Sequence, residues 1–346
     1  YNMSSGIVQL TAVGSQNEQI TGDPEVSYFV SSYKRHSNFS QSLEEQTIQG
    51  AVNSGSSSKI RFDKTGDLLG YVYLCISQNG EAKDSPDWTS LIKSASLLIG
   101  GHVIDKQSSD FCEKIAIDTM ATNTTRSANG PHGGRSTRSY FYPFRFFNCE
   151  NPQSAIPLCA LSYHEVEIVV EWGASAADYE WECHANFYYL EEEERVKLAS
   201  EPQNILIQQV QQNIASGEKI QELYFNHPVK YIASTNTTLS SALTSPSNKI
   251  KLSVNGTDIG VMKYAKPHYI DVSAYYHTEN VTTPDFFMYP FCLKTHSLQP
   301  TGTLNFSRLN SVKLWSENLD IDDDIFAVNY NILRINNGMA GILYAN

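Results

Sequence analysis

The tripeptide Tyr142-Pro143-Phe144 recurs as Tyr289-Pro290-Phe291, and the residues around the two copies recur in the same order. About nine residues after each tripeptide comes a proline, Pro152 and Pro300. Strand-like segments follow, Glu165-Val166-Glu167-Ile168 in one half and Val312-Lys313-Leu314-Trp315 in the other. Upstream, Ile99-Gly100-Gly101 has a counterpart in Val254-Asn255-Gly256. Downstream, Ala185-Asn186-Phe187-Tyr188 has one in Val328-Asn329-Tyr330-Asn331. One shared tripeptide would be noise. Ordered marks offset by roughly 145 to 155 residues indicate two similar modules in tandem.

The modules read as β. Ile250, Leu252 and Val254 alternate with Lys251 and Ser253 before Asn255-Gly256, a strong hairpin signal. Glu165 to Trp172 alternates as a half-buried strand does, and Tyr71 to Ile76 is another strand. Helical periodicity is confined to about Glu191 to Gln212, where Pro202 limits it to one or two short helices joining the modules. Gln41 to Lys59 and Thr119 to Ser139, the latter with Arg126, Arg135 and Arg138, read as long surface loops. The expected fold is all-β: two tandem eight-stranded antiparallel jelly-roll barrels with short connecting helices. The expected division is an arm at 1–23, a first barrel at 24–200, a connector at 201–213 and a second barrel at 214–346. The first strand is expected at Val26 to Val30.

Composition narrows the function. A formal net charge of −12 opposes a surface that grips nucleic acid, which needs a basic field. No run of about 18 apolar residues is present to span a membrane as a helix. Tyr1 to Asp23 lacks the basic segment and apolar block of a secretory signal. The six cysteines, Cys75, Cys112, Cys149, Cys159, Cys183 and Cys292, lack metal or redox spacing and read as buried free thiols, which suits a reducing compartment. Asn-x-Ser/Thr triplets at Asn2, Asn38, Asn123, Asn236, Asn255, Asn280 and Asn305 pull the other way, but they arise by chance in so polar a chain. The sequence leaves their glycosylation open.

The sharper chemical readings are weak. Glu182-Cys183-His184 places neighbours on opposite faces of a strand, where they cannot cooperate as nucleophile and base. Asp320 with Asp322-Asp323-Asp324 lacks the glycine and terminal Glu of a calcium loop and reads as an acidic turn. His164-Glu165 and His227 carry side chains able to ligate a metal, and only the family resemblance set out below implies that they are structural. No catalytic residue, metal ligand or cofactor is expected.

The chain resembles the double jelly-roll major capsid proteins of large icosahedral double-stranded DNA viruses, of the algal- and giant-virus type. The resemblance rests on Gly6-Ile7-Val8-Gln9-Leu10, Gly14-Ser15-Gln16, Ile20-Thr21-Gly22-Asp23-Pro24 and Tyr33 to Phe39 at the amino end. Ala155-Ile156-Pro157-Leu158 with Tyr163-His164-Glu165-Val166 resembles the end of the family's first barrel, and Asn226 to Lys230 the start of its second. Gln299 to Arg308, Asn331-Ile332-Leu333-Arg334 and Gly338-Met339-Ala340-Gly341 resemble its carboxy-terminal signature. The inter-strand loops are short for this family, so tall outward towers are not implied. The resemblance implies a structural subunit of the virion shell, a trimeric pseudo-hexagonal capsomer assembled in the host cytoplasm. Its implied partners are copies of itself, neighbouring capsomers, minor capsid proteins and an internal membrane, without specific nucleic-acid binding. The alternatives are a minor or vertex capsid protein of the same fold and, from another class, a carbohydrate-binding jelly roll. Ile7, Val8, Leu10 and Val13 are too few to make a core alone, and with them the arm is expected to act as an assembly element.

Overall fold

The computed structural model describes residues 5–85, 87–120, 122, 140–234, 240–279 and 286–345. The loop with Arg126, Arg135 and Arg138 and the triplets at Asn2, Asn123, Asn236 and Asn280 lie outside the described residues. The chain divides into two compact units, Tyr1–Asn38 and Phe39–Asn346. Within the described residues, the larger unit contains four antiparallel sheets in two pairs.

In the first pair, one sheet orders Phe39–Gln46, Glu180–Leu190, Leu68–Gln78 and the short edge strands Glu81–Lys83, Phe141–Pro143 and Ile156–Pro157. The other orders Ile48–Gln49, Ser57–Arg61, Val166–Trp172, Ile92–Ile99 and His102–Ser108. The second pair repeats the plan. Gln203–Asn213 lies beside Ile325–Asn336, Pro228–Ser234 and Phe287–Pro290, while Ile220–Glu222 lies beside Val312–Ser316, Lys249–Val254 and Thr257–Tyr264. In each barrel the opening strand pairs with the closing one, and the same succession of neighbours follows. This is a double jelly roll.

Alternation explains the strands. In Val166–Trp172 the apolar residues Val166, Ile168, Val170 and Trp172 face the core. The intervening Glu167 and Glu171 pair with Lys59 at 2.9 Å and Lys106 at 3.0 Å. The second barrel uses the same device on the outer face of the matching sheet, where Lys313 meets Glu222 and Lys251 meets Asp258, at 2.8 and 2.7 Å.

Most of the repeated marks fall on equivalent elements, although Pro152 opens a 3-10 helix and Pro300 lies outside any helix or strand. Pro143 stands opposite Tyr73, and Pro290 opposite Tyr231. The next residue donates its N–H back across the pair, Phe144 to the Val72 carbonyl and Phe291 to the Lys230 carbonyl. Both prolines occupy edge strands, where a missing N–H leaves no ladder bond unmade. Gly100-Gly101 and Asn255-Gly256 form matching two-residue turns with positive φ throughout.

Several expectations are corrected. Gln41 to Lys59 is mostly strand, because an edge strand needs only one apolar face. Val26 to Val30 forms no strand, having no partner to pair with, and its side chains are exposed. Helix occupies Glu192–Ser200, but the segment expected as connector at 201–213 is chiefly the strand Gln203–Asn213, paired along its length with Ile325–Asn336. Its Ile205, Leu206 and Val210 suggest a helix, and pairing with the partner strand decides against it.

Turn geometry generates a paired expectation. Gly101→Ala forces a side chain into the left-handed region in open space and should cost roughly 1–2 kcal/mol. Gly100→Ala carries the same strain, and its Cβ would also stand 2.5 Å from the His164 ring. Denaturant unfolding should rank Gly100→Ala as clearly the more damaging. Equal losses would refute the close approach of His164.

Candidate assembly surfaces

The two barrels meet through a largely apolar seam. The outer face of the second barrel's first sheet supplies Ile207, Tyr231, Ala233, Met288, Phe326 and Val328 to the same apolar cluster as the first barrel's core. Against it lie the edge strand His102–Ser108 and the helical run Ser109–Thr119 that continues from it, with the π-helical stretch Cys112–Ala116 at its middle. Phe111 packs on Phe326 with ring centroids 5.5 Å apart. The Tyr231 hydroxyl donates to Thr119 Oγ1 at 2.9 Å. The Val210 N–H donates to Asp105 Oδ1 at 2.9 Å, and Gln209 Nε2 to the Ile104 carbonyl. A second contact joins Tyr163-His164 to the carboxy-terminal hairpin: Tyr163 N–H donates to the Gly338 carbonyl, and Ala340 N–H to His164 Nδ1, at 3.0 and 3.1 Å.

Among the described residues, the corresponding sheet of the first barrel leaves its outer face open. Tyr71, Tyr73 and Phe141 line a cleft of about 480 Å³ with Tyr140 and Phe144. Tyr73 stacks on His184 at 5.3 Å and meets Phe141 edge-on at 5.8 Å. In the second barrel the edge strand Thr257–Tyr264 and the helix ending at His277 expose Val261, Tyr275 and Tyr276, at 75%, 80% and 71%.

The arm unit, Tyr1–Asn38, contains two seven-residue helices, Ser5–Thr11 and Ser15–Thr21, where no helix was expected. Local bonds hold them: Thr11 Oγ1 donates to the Ile7 carbonyl, Thr21 Oγ1 to the Asn17 carbonyl, and Gly14 N–H to Asn17 Oδ1. Ile7, Val8 and Leu10 lie on the first helix and Val13 just beyond it, all exposed.

The remaining candidates have structural uses. Cys183 is buried and its thiol is pushed up to about 12 by burial, while His184 and Glu182 share the opposite face. Asp324 accepts from Gln212 Nε2 and Ala215 N–H, and Asp323 from the Ser241 hydroxyl. His227 takes a positive φ, and its N–H donates to Ser307 Oγ. All six cysteines are free. Among the described residues no helix is long and apolar enough to cross a membrane.

Family models match the chain twice. The model for the major capsid protein N-terminus matches residues 27–188, and that for the large eukaryotic DNA virus major capsid protein matches residues 233–341. The chain is similar to the major capsid protein of Pyramimonas orientalis virus, with 31% identity covering 99% of this chain and 100% of the relative. It is 27% identical to the major capsid protein of Paramecium bursaria Chlorella virus 1, over the same shares. A solved quasi-atomic structure of the latter virus's capsid matches 92% of this chain and 100% of its own, with TM-score 0.76 at 23% identity. The Faustovirus major capsid protein matches 94% of each chain with TM-score 0.65 at 10% identity, a likeness of fold.

Buried carboxyls near the seam make stability depend on pH. Burial pushes Asp105 up to about 6 and Glu113 up to about 8, and Glu113 Oε2 has no hydrogen-bond partner. Both ionise less readily folded than unfolded. Their contribution is full below the ordinary carboxylate range and is lost as pH rises through those values. Stability should therefore fall as pH rises from 5 to 7.5, with Asp105 contributing up to about pH 6 and Glu113 across the whole interval, each on the order of 1 kcal/mol per pH unit within its window. Glu113→Gln should flatten that slope and raise stability at pH 7.5. Parallel pH profiles for variant and parent would overturn this account.

Proposed function

The chain belongs to the major capsid protein family of large eukaryotic DNA viruses, and from that premise we propose that three copies close into a pseudo-hexagonal capsomer. It is a structural subunit of the virion shell. The observation that carries the proposal is the seam: two barrels of one plan are held as a single block by apolar packing and directed hydrogen bonds. Three such blocks around a threefold axis present six similar barrels, and rings of six tile a flat facet. A closed threefold needs heterologous contacts, in which one face of each copy meets a different face of the next.

The remaining roles rest on the same premise. The capsomer contacts neighbouring capsomers and minor capsid proteins above an internal membrane, and assembles in the host cytoplasm. The net charge of −12 suits a shell that encloses a genome without gripping it. No catalytic role is assigned. Ile7, Val8, Leu10 and Val13 are exposed apolar side chains that no strand or sheet claims, which supports an assembly role for the arm.

Mass photometry of the purified protein should give a species at three times the 38.7 kDa chain mass. Only monomers or dimers at high concentration would overturn the capsomer. Deleting residues 1–20 should leave thermal unfolding of the barrels nearly unchanged while weakening assembly into shells. Undiminished assembly by the truncated chain would remove the arm from the assembly machinery.

A further inference from the structure

The two barrels differ at one matched corner. Leu223 N–H donates to the Val312 carbonyl as Phe62 N–H does to Val166, and Asn255 N–H donates to the Ser311 carbonyl as Gly100 N–H does to Glu165. The backbones therefore correspond: Ser311 matches Glu165, Asn310 matches His164, and Tyr224 matches Asp63. In the first barrel the corner's side chains bond one another or nearby backbone. Arg61 pairs with Glu165, Lys64 Nζ donates to the carbonyls of Leu161 and Ser162, and His164 Nδ1 accepts the Ala340 N–H. The second barrel's corner instead holds a groove of about 320 Å³, lined by Tyr224, which is 75% exposed.

We infer that this groove binds a neutral pyranose unit of a carbohydrate, one face of the sugar ring lying on Tyr224 and its hydroxyls held by Asn226 and Asn310. The aromatic platform is fixed. The Tyr224 hydroxyl donates to Glu222 Oε2, and Glu222 Oε1 pairs with Lys313 Nζ at 2.8 Å, so the ring keeps one orientation while remaining exposed. The walls are held as firmly. Gln211 grips the Asn226 backbone, its Nε2 donating to the carbonyl at 2.8 Å and its Oε1 accepting the N–H at 3.0 Å. Asn255 Oδ1 accepts the N–H groups of Asn310 and Ser311 at 2.9 and 3.2 Å. Such preorganisation lowers the cost of ordering a site on binding. The side-chain amides of Asn226 and Asn310 are exposed and, among the described residues, make no hydrogen bond. Each offers a donor and an acceptor, which is what adjacent sugar hydroxyls require. The C–H groups on one face of a pyranose meet the electron-rich face of a tyrosine ring favourably. Charge selects a neutral ligand. Glu222 is the one charged side chain lining the groove, and Lys313 already neutralises it, so a phosphate or sulfate would find no free cation there.

The test is saturation-transfer NMR on the full chain with the methyl glycosides of glucose, galactose, mannose and N-acetylglucosamine. At least one should receive saturation, concentrated on the protons of one ring face. Tyr224→Ala should weaken that binding roughly tenfold. Asn226→Ala and Asn310→Ala should each weaken it by roughly threefold to tenfold, the loss of one net hydrogen bond or so. Tyr224→Phe keeps the ring but frees it from Glu222, and should fall between the parent and Tyr224→Ala. Tyr163→Ala, at an exposed tyrosine elsewhere, should bind as the parent does. All these positions are exposed, so thermal unfolding should stay unchanged in every variant. Saturation of none of the four sugars would overturn the inference, as would full binding by Tyr224→Ala or an equal loss in Tyr163→Ala. None of these outcomes bears on the capsomer, which rests on other surfaces.

Discussion

Along Pro228–Ser234 and Ile325–Asn336, side chains divide between two apolar environments. Val229, Ile232, Ile325 and Ala327 enter the second barrel's own core, while Tyr231, Ala233, Phe326 and Val328 enter the seam. A sheet buried on both faces cannot expose one of them cheaply, since each large apolar side chain returned to water costs about 1.5–3 kcal/mol. The barrels are therefore coupled more tightly than the polar interfaces usual between domains of one chain. The few polar groups admitted are directed. Asp105 accepts the Val210 N–H, and Tyr231 donates to Thr119, so the packing has one register.

Rigidity at this seam matters because a shell subunit must present its faces at fixed angles. A hinge between the barrels would let those angles vary. The outer faces of the two ion-paired sheets, laced by Lys59–Glu167, Lys106–Glu171, Lys251–Asp258 and Lys313–Glu222, are built for water. Apolar surface is instead gathered on the first barrel's other sheet and on the second barrel's exposed strand and helix. Exposed apolar surface of this kind marks an interaction face.

Lys230 shows what the second barrel tolerates to keep this arrangement. It is fully buried at the bulge between Val229 and Tyr231, and burial lowers its amine to about 8. Its Nζ donates to the Thr295 carbonyl at 2.7 Å and to Gln208 Oε1 at 3.1 Å, and lies 5.1 Å from the Tyr330 ring centre. The matching position in the first barrel is Val72, packed in the core. The pseudo-symmetry is thus one of backbone and topology, with side chains adapted to what covers each face.

Much of the fold was legible in the residues. The repeated Tyr-Pro-Phe, the paired Gly-Gly and Asn-Gly turns and the alternation in Val166–Trp172 are local signals, set by backbone sterics and by a two-residue period. They determined that two similar β modules follow one another, and they fell on equivalent strands. Three segments were misread for one reason. Gln203–Asn213 looked like a connector, Gln41 to Lys59 like a loop, and Val26 to Val30 like a strand, because pairing depends on a partner distant in sequence. The seam was equally hidden: nothing in Tyr73 and Tyr231, or in the two edge strands, says which is covered. Local sequence determined the modules and their turns. Tertiary structure alone decided which faces meet inside the chain and which remain open to a neighbour, since burial belongs to the assembled surfaces and not to any residue in isolation.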